Sequence, residues 1–168
     1  MNWQAIIDKY YPEGTPLRDI YMRHALSVAD LAEQMRAQSA PELDPEQVRA
    51  AAMLHDIGIF LTSAPAIHCN GTEPYINHGP LGADLLRREG APEWAARVAE
   101  RHTGVGIPPH MPETRLERLI CIADKFYSKS GNMQRHSLER VEASIARFGP
   151  ENLAALHRLL QDFPLPQK

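Results

Sequence analysis

Several things are scarce in this chain of 168 residues, and each scarcity excludes a class of protein. Cysteine occurs only at Cys69 and Cys121, with no Cys-x-x-Cys pair, so neither a disulfide framework nor a zinc knuckle is expected; a reducing cytoplasm suits such a chain. No apolar run approaches the length of a membrane span, which argues against a membrane partner. The N-terminal stretch from Met1 to Lys9 has neither the basic start nor the apolar centre of a signal peptide. Excess positive charge is missing: the net charge is −3, so no broad nucleic-acid surface is expected. Strand-like alternation of apolar and polar residues is absent as well.

What is present is helical periodicity, punctuated by caps and breakers. A short helix over residues 2–11 ends at Pro12 and Gly14. Thr15-Pro16 reads as an N-cap followed by proline at the first helical position, opening a helix to about Ala37. Its buried stripe is Leu17, Ile20, Tyr21, His24, Val28, Leu31 and Met35, with His24 in a slot where leucine would be usual. Asp44-Pro45 repeats the signal and opens a helix over 45–60. Residues 62–79 carry Pro65, Gly71, Pro74 and Gly79 and read as a long irregular segment containing His68 and ending at His78. Further helices are expected from about Pro80 to Arg88, from Pro92 to His102 (ended by Gly104, Gly106, Pro108 and Pro109), from Thr114 to Tyr127, from Ser137 to Phe148, and over 151–162. The fold class is therefore all-α, a single-domain bundle of seven or eight helices, with a core over about 15–130 and C-terminal helices over 137–162 packing on it.

His55-Asp56 is the chemical focus. The pair lies in an Ala-rich helix-forming run, and His55 falls on the buried face with Val48, Ala51, Ala52 and Ile59. A carboxylate beside such a face is costly unless a cation or partner accompanies it. Ligand-type residues on other core faces or helix ends supply the rest of a set: His24, His78, His102 and Asp124. Four imidazoles and two carboxylates exceed what one tetrahedral zinc ion needs and would suit two ions with a shared carboxylate. Mixed nitrogen and oxygen ligation fits iron, manganese or zinc, with magnesium also admissible.

The order His24, His55-Asp56, Asp124 resembles the HD superfamily of metal-dependent phosphohydrolases, and His55-Asp-Ile-Gly58 matches its HDIG form. The runs His78-Gly-Pro-Leu-Gly-Ala83, Arg101-His-Thr-Gly104 and Ala123-Asp-Lys125 are similar to the binuclear subset, which includes hydrolases of diadenosine tetraphosphate. The resemblance implies a helical bundle holding two metals. His24, His55, Asp56 and Asp124 would hold the first, and Asp56 would bridge to a second held by His78 and His102. It implies hydrolysis of a small phosphorylated metabolite or nucleotide, not a nucleic-acid polymer. Asp56 and Asp124 would orient the attacking hydroxide, Lys125 would serve catalysis and phosphate binding, and Arg101 and His68 would contact substrate. The chain could act alone or as a homodimer. Two other activities share the resemblance: a di-iron oxygenase with the same ligand set, and a non-catalytic sensing domain. The chain also departs from two branches. Ile59 stands where the cyclic-dinucleotide branch has lysine, and Phe126-Tyr-Ser-Lys-Ser130 replaces the acidic-proline-arginine continuation of the diadenosine branch.

Overall fold

The structure is a computed structural model and describes residues 1–105 and 110–167. Its described residues form eight α-helices: α1 (Trp3–Tyr10), α2 (Pro16–Ser39), α3 (Pro45–Leu54), α4 (His78–Arg88), α5 (Glu93–Arg101), α6 (Arg115–Asp124), α7 (Leu138–Ala146) and α8 (Pro150–Asp162). The all-α expectation holds. Helix α2 packs on α3 and α6, α4 lies along α5, and α8 covers α6 with α7 against it. The core between them is formed by Tyr21, Val28, Met53, Leu86, Val98, Ile120 and Leu156, among others.

The starts of the helices follow the sequence signals. Thr15 accepts a hydrogen bond from the Arg18 amide and Asp44 from the Glu46 amide, each with proline at the first helical position. Thr114 and Glu117 form a reciprocal capping box. The ends differ in three places. The helix expected over 45–60 stops at Leu54, and the chain passes His55–Gly58 in tight turns, with Ile57 N bonded to Leu54 O and Ile59 N to Asp56 O. Gly58 accounts for this break. It lies against the backbone of α4, where an added Cβ would overlap the His78 carbonyl oxygen and come within 2.5 Å of the Gly82 nitrogen. Two buried tyrosines serve the carbonyls around the break: Tyr21 donates to Met53 O at 2.6 Å and Tyr11 to Ile57 O at 2.9 Å. Their rings stack 4.2 Å apart.

The second difference is in α6, expected to run to Tyr127. It ends at Asp124, and the next three amides reach back only three residues, so the chain tightens before it turns away. Third, the 62–79 segment is more ordered than its prolines suggest, and α4 begins at His78 rather than near Pro80. The segment contains a two-residue antiparallel ladder of β1 (Ser63–Ala64) and β2 (Cys69–Asn70), too short for alternation to reveal. His68 sits in the connection with φ 61°, a left-handed conformation. Gly106, Pro108 and Pro109, expected to end the α5 region, lie outside the described residues.

Candidate metal centre

Five elements converge on one buried point. His24 comes from the middle of α2, His55 and Asp56 from the turn after α3, His78 from the first residue of α4, His102 from the C-cap of α5, and Asp124 from the last residue of α6. His24, Asp56 and His102 are each 1% exposed, and His55 is 0% exposed. Helix ends bring short side chains to the centre while their apolar faces remain in the core.

The six side chains fall into two groups that share Asp56. In the first, His24 Nε2 lies 3.1 Å from Asp56 Oδ2 and 3.0 Å from Asp124 Oδ1, and His55 Nε2 lies 3.2 and 3.3 Å from the same two oxygens. In the second, His78 Nε2 and His102 Nε2 each lie 3.3 Å from Asp56 Oδ1. The two oxygens of one carboxylate therefore face two different sets of imidazoles.

The protonation pattern tests whether a cation fits. His55, His78 and His102 donate their Nδ1 protons to the carbonyls of Ala52, Tyr75 and Ala99 at 2.6, 2.6 and 2.7 Å. Each neutral ring then turns a lone pair on Nε2 inward. Yet His78 Nε2 and His102 Nε2 are 3.0 Å apart. Lone pairs so close repel unless something positive lies between them. Both oxygens of Asp56 are buried, and Oδ1 has no hydrogen-bond partner. Inward lone pairs, backbone-anchored rings and an unsatisfied carboxylate are what a divalent cation needs, and the donor set fits one. Electrostatics agree. Burial alone would lower the His55 pKa, but the Asp56 and Asp124 carboxylates overcome it and push it up to about 9, so with no cation beside it this ring would itself take up the positive charge the two acids call for. At His102 burial dominates, and the pKa falls to about 4, so the ring stays neutral.

Two lysines flank the carboxylates. Lys125 Nζ donates to Asp124 Oδ2 and to the His102 carbonyl, both at 2.9 Å, which ties the end of α6 to the end of α5. Lys129 Nζ lies 2.6 Å from Asp56 Oδ2 and 5.9 Å from the centre of the Tyr75 ring. Burial alone would lower the pKa of each lysine, but Asp124 and Asp56 respectively raise it, so both ammonium groups stay charged. Sequence reasoning missed Lys129 as a site residue. The only signal was its place in the Phe126–Ser130 run, just beyond the Ala-Asp-Lys string.

Two other expected residues stand elsewhere. The Arg101 guanidinium is engaged with the Met111 carbonyl at 2.7 Å and the Glu113 carboxylate at 2.9 Å. Adjacent helical residues diverge by about 100°, so the neighbour of His102 is carried toward the Met111–Glu113 segment instead of the centre. His68 is exposed on the β1–β2 connection and belongs to neither ligand group.

Comparison with known proteins agrees with this geometry. The profile of the HD domain family matches residues 21–128, and the chain belongs to that family. Its superfamily is that of the metal-dependent phosphohydrolases. Among solved structures, the HD domain of the L. monocytogenes phosphodiesterase PgpH is similar, with a TM-score of 0.58, 16% identity and 95% of each chain covered. The same domain in complex with cyclic-di-AMP gives a TM-score of 0.57 at 16% identity, covering 95% of this chain and 93% of that one. At that identity the likeness concerns the fold. A tRNA (cytidine(56)-2'-O)-methyltransferase of Thermoplasma volcanium is 29% identical over 94% of this chain and 46% of its own length. An uncharacterised protein of Methanocaldococcus jannaschii is 33% identical over 61% of this chain and 63% of its own length. The chain thus spans between about half and two thirds of the length of these relatives. No helix among the described residues is long and apolar enough to cross a membrane.

Proposed function

We propose that the chain is a metal-dependent phosphohydrolase acting on a small phosphorylated metabolite or nucleotide in the cytoplasm. The observation that carries this reading is Asp56, whose Oδ2 faces His24 and His55 while its Oδ1 faces His78 and His102. In this reading His24, His55, Asp56 and Asp124 hold one divalent ion, and Asp56, His78 and His102 hold a second. Bound there, such ions supply a water acidified to hydroxide near neutral pH and positive charge for phosphoryl oxygens.

The chain's own residues do the positioning. The Nδ1 bonds of His55, His78 and His102 fix each ring's orientation and tautomer. Asp124 gives Oδ1 to the imidazoles and Oδ2 to Lys125, so it can orient an attacking water without leaving its place. Lys125 and Lys129 bring two ammonium groups to the rim, where a phosphoryl oxygen would meet them. Arg101 is left out of the substrate contacts because its guanidinium is turned to the Met111 carbonyl and the Glu113 carboxylate instead of the centre. The reading rests on this centre and not on the methyltransferase names, which belong to longer proteins.

Elemental analysis followed by a screen of phosphate esters and nucleotides with Mn²⁺, Fe²⁺, Mg²⁺ and Co²⁺ tests it. Metal-dependent release of phosphate or a nucleotide, lost on chelation, is expected. Iron-dependent oxygen uptake with no ester hydrolysed would overturn it.

A further inference from the structure

Beside the centre lies a cleft of about 380 Å³. Ala64, Ala66 and Ile67 from the β1–β2 segment form one side, and Tyr75 and Tyr127 supply rings. Asp124 and Lys129 line the end that joins the centre, since the first contacts His24 and the second contacts Asp56. Ser128 and Ser130 complete the lining. Among the described lining residues Lys129 is the only cation, and there is no arginine.

Three features limit what can bind. The volume is at the small end of ligand pockets, which run from about 300 to 1,000 Å³, so the cleft holds one ring system and a second nucleobase would lie outside it. Among the described residues the walls away from the centre carry no charge, so the part of a ligand lying against them must be neutral. Beyond the metal centre, polyphosphate chains call for several charge-assisted donors, and the described lining of this cleft offers one, Lys129.

We infer that this cleft receives the body of the substrate, and that the substrate is the monophosphate ester of a compact, uncharged, ring-sized alcohol, a nucleoside included. The inference rests on the phosphohydrolase reading above and narrows it. The ring lies between Tyr75, Tyr127 and the Ala64–Ile67 wall, and Lys129 meets the single phosphoryl group. Hydrolysis breaks the ester P–O bond, the oxygen of water joins phosphorus, and one proton of that water leaves with the alcohol. Polyphosphates, dinucleoside polyphosphates and cyclic dinucleotides are excluded as preferred substrates.

The test uses the full chain loaded with Mn²⁺. Initial rates are compared for phenyl phosphate and AMP, for ATP and diadenosine tetraphosphate, and for cyclic-di-AMP. Binding of phenylphosphonate, which cannot be hydrolysed, is followed by calorimetry. The same measurements are made on Ala66→Trp, which fills the cleft from an exposed position, and its metal content is checked by elemental analysis. The monoesters should exceed both other groups at least tenfold in kcat/KM. Ala66→Trp should keep its metal while phenylphosphonate affinity falls at least tenfold, and the kinetic loss should fall on KM rather than kcat. Preference for a polyphosphate or cyclic dinucleotide, or an Ala66→Trp chain that binds phenylphosphonate as tightly as the parent, overturns the cleft assignment and leaves the phosphohydrolase reading standing. If no ester of any group is hydrolysed, both fail.

Discussion

Lys129 holds its ammonium 2.6 Å from Asp56 Oδ2, the carboxylate oxygen that also faces His24 and His55. The chain thereby sets a fixed cation against the oxygen nearest the first ligand group. Replacing Lys129 with Met removes that charge and keeps most of the volume. A hydrogen bond to a charged group contributes about 1.5–3 kcal/mol. The expected loss in kcat/KM on an active ester is therefore about one to two powers of ten. Elemental analysis should find metal retained. An unchanged kcat/KM would show that the ammonium never meets the substrate.

Metal content should follow the division at Asp56. Parent protein is expected to carry two ions per chain, His102→Ala one, and Asp56→Ala none, by elemental analysis after dialysis. A ligand present at about 100 times its dissociation constant stabilises the native state by about 2.7 kcal/mol. For a chain of this size, chelation should then lower Tm by roughly 5–10 °C. Equal metal content in the parent and His102→Ala chains would rule out the second position.

Gly58→Ala tests the contact between the turn and α4. The new methyl group would overlap backbone atoms of His78 and Gly82, not the end of a movable side chain. Overpacking of this kind costs about 1–3 kcal/mol or more. Denaturant unfolding should show a loss in that range, and metal content should fall because His55, Asp56 and His78 move together. A variant as stable as the parent would mean that the contact is looser than described.

The ion pair of Arg97 with Glu117 gives a pH-dependent term far from the centre. Burial alone would raise the Glu117 pKa, but the Arg97 guanidinium and the amides of Glu113 and Thr114 hold it below its ordinary 4.5. A depressed carboxyl contributes its full stability above pH 4.5 and loses it as pH falls through the lower folded value. Glu117→Gln should therefore be less stable than the parent at pH 7, by about 1.5 kcal/mol, since the Arg97 guanidinium is partly exposed and keeps Glu113 as a partner. The gap should close toward pH 3. A constant difference across that range, followed by urea unfolding, would contradict the assignment.

Much of this was legible in the chain, and the exceptions have physical causes. His24 could be found because a histidine at a leucine position of a regular stripe stands out. The helix starts were equally plain, since proline and an oxygen-bearing cap act locally. The break after Leu54 was not, because the Ala-rich run favours continuing the helix and only the tertiary approach of α4 to Gly58 stops it. Lys129 was hidden for a similar reason. Its reach to Asp56 depends on the tightened turns after Asp124, which the apolar periodicity through Tyr127 does not reveal. Arg101 misled through adjacency to His102, since neighbours in sequence diverge around a helix.

The near-contact of Gly58 with Gly82 has a bearing on which ions the protein tolerates. With backbone seated on backbone, the turn bearing His55-Asp56 and the helix bearing His78 leave no room to move closer together. An ion of smaller radius must therefore be met by swivelling rings and carboxylates, because the frame cannot close around it. Exchange among transition metals should thus alter turnover while leaving the surrounding helices in place.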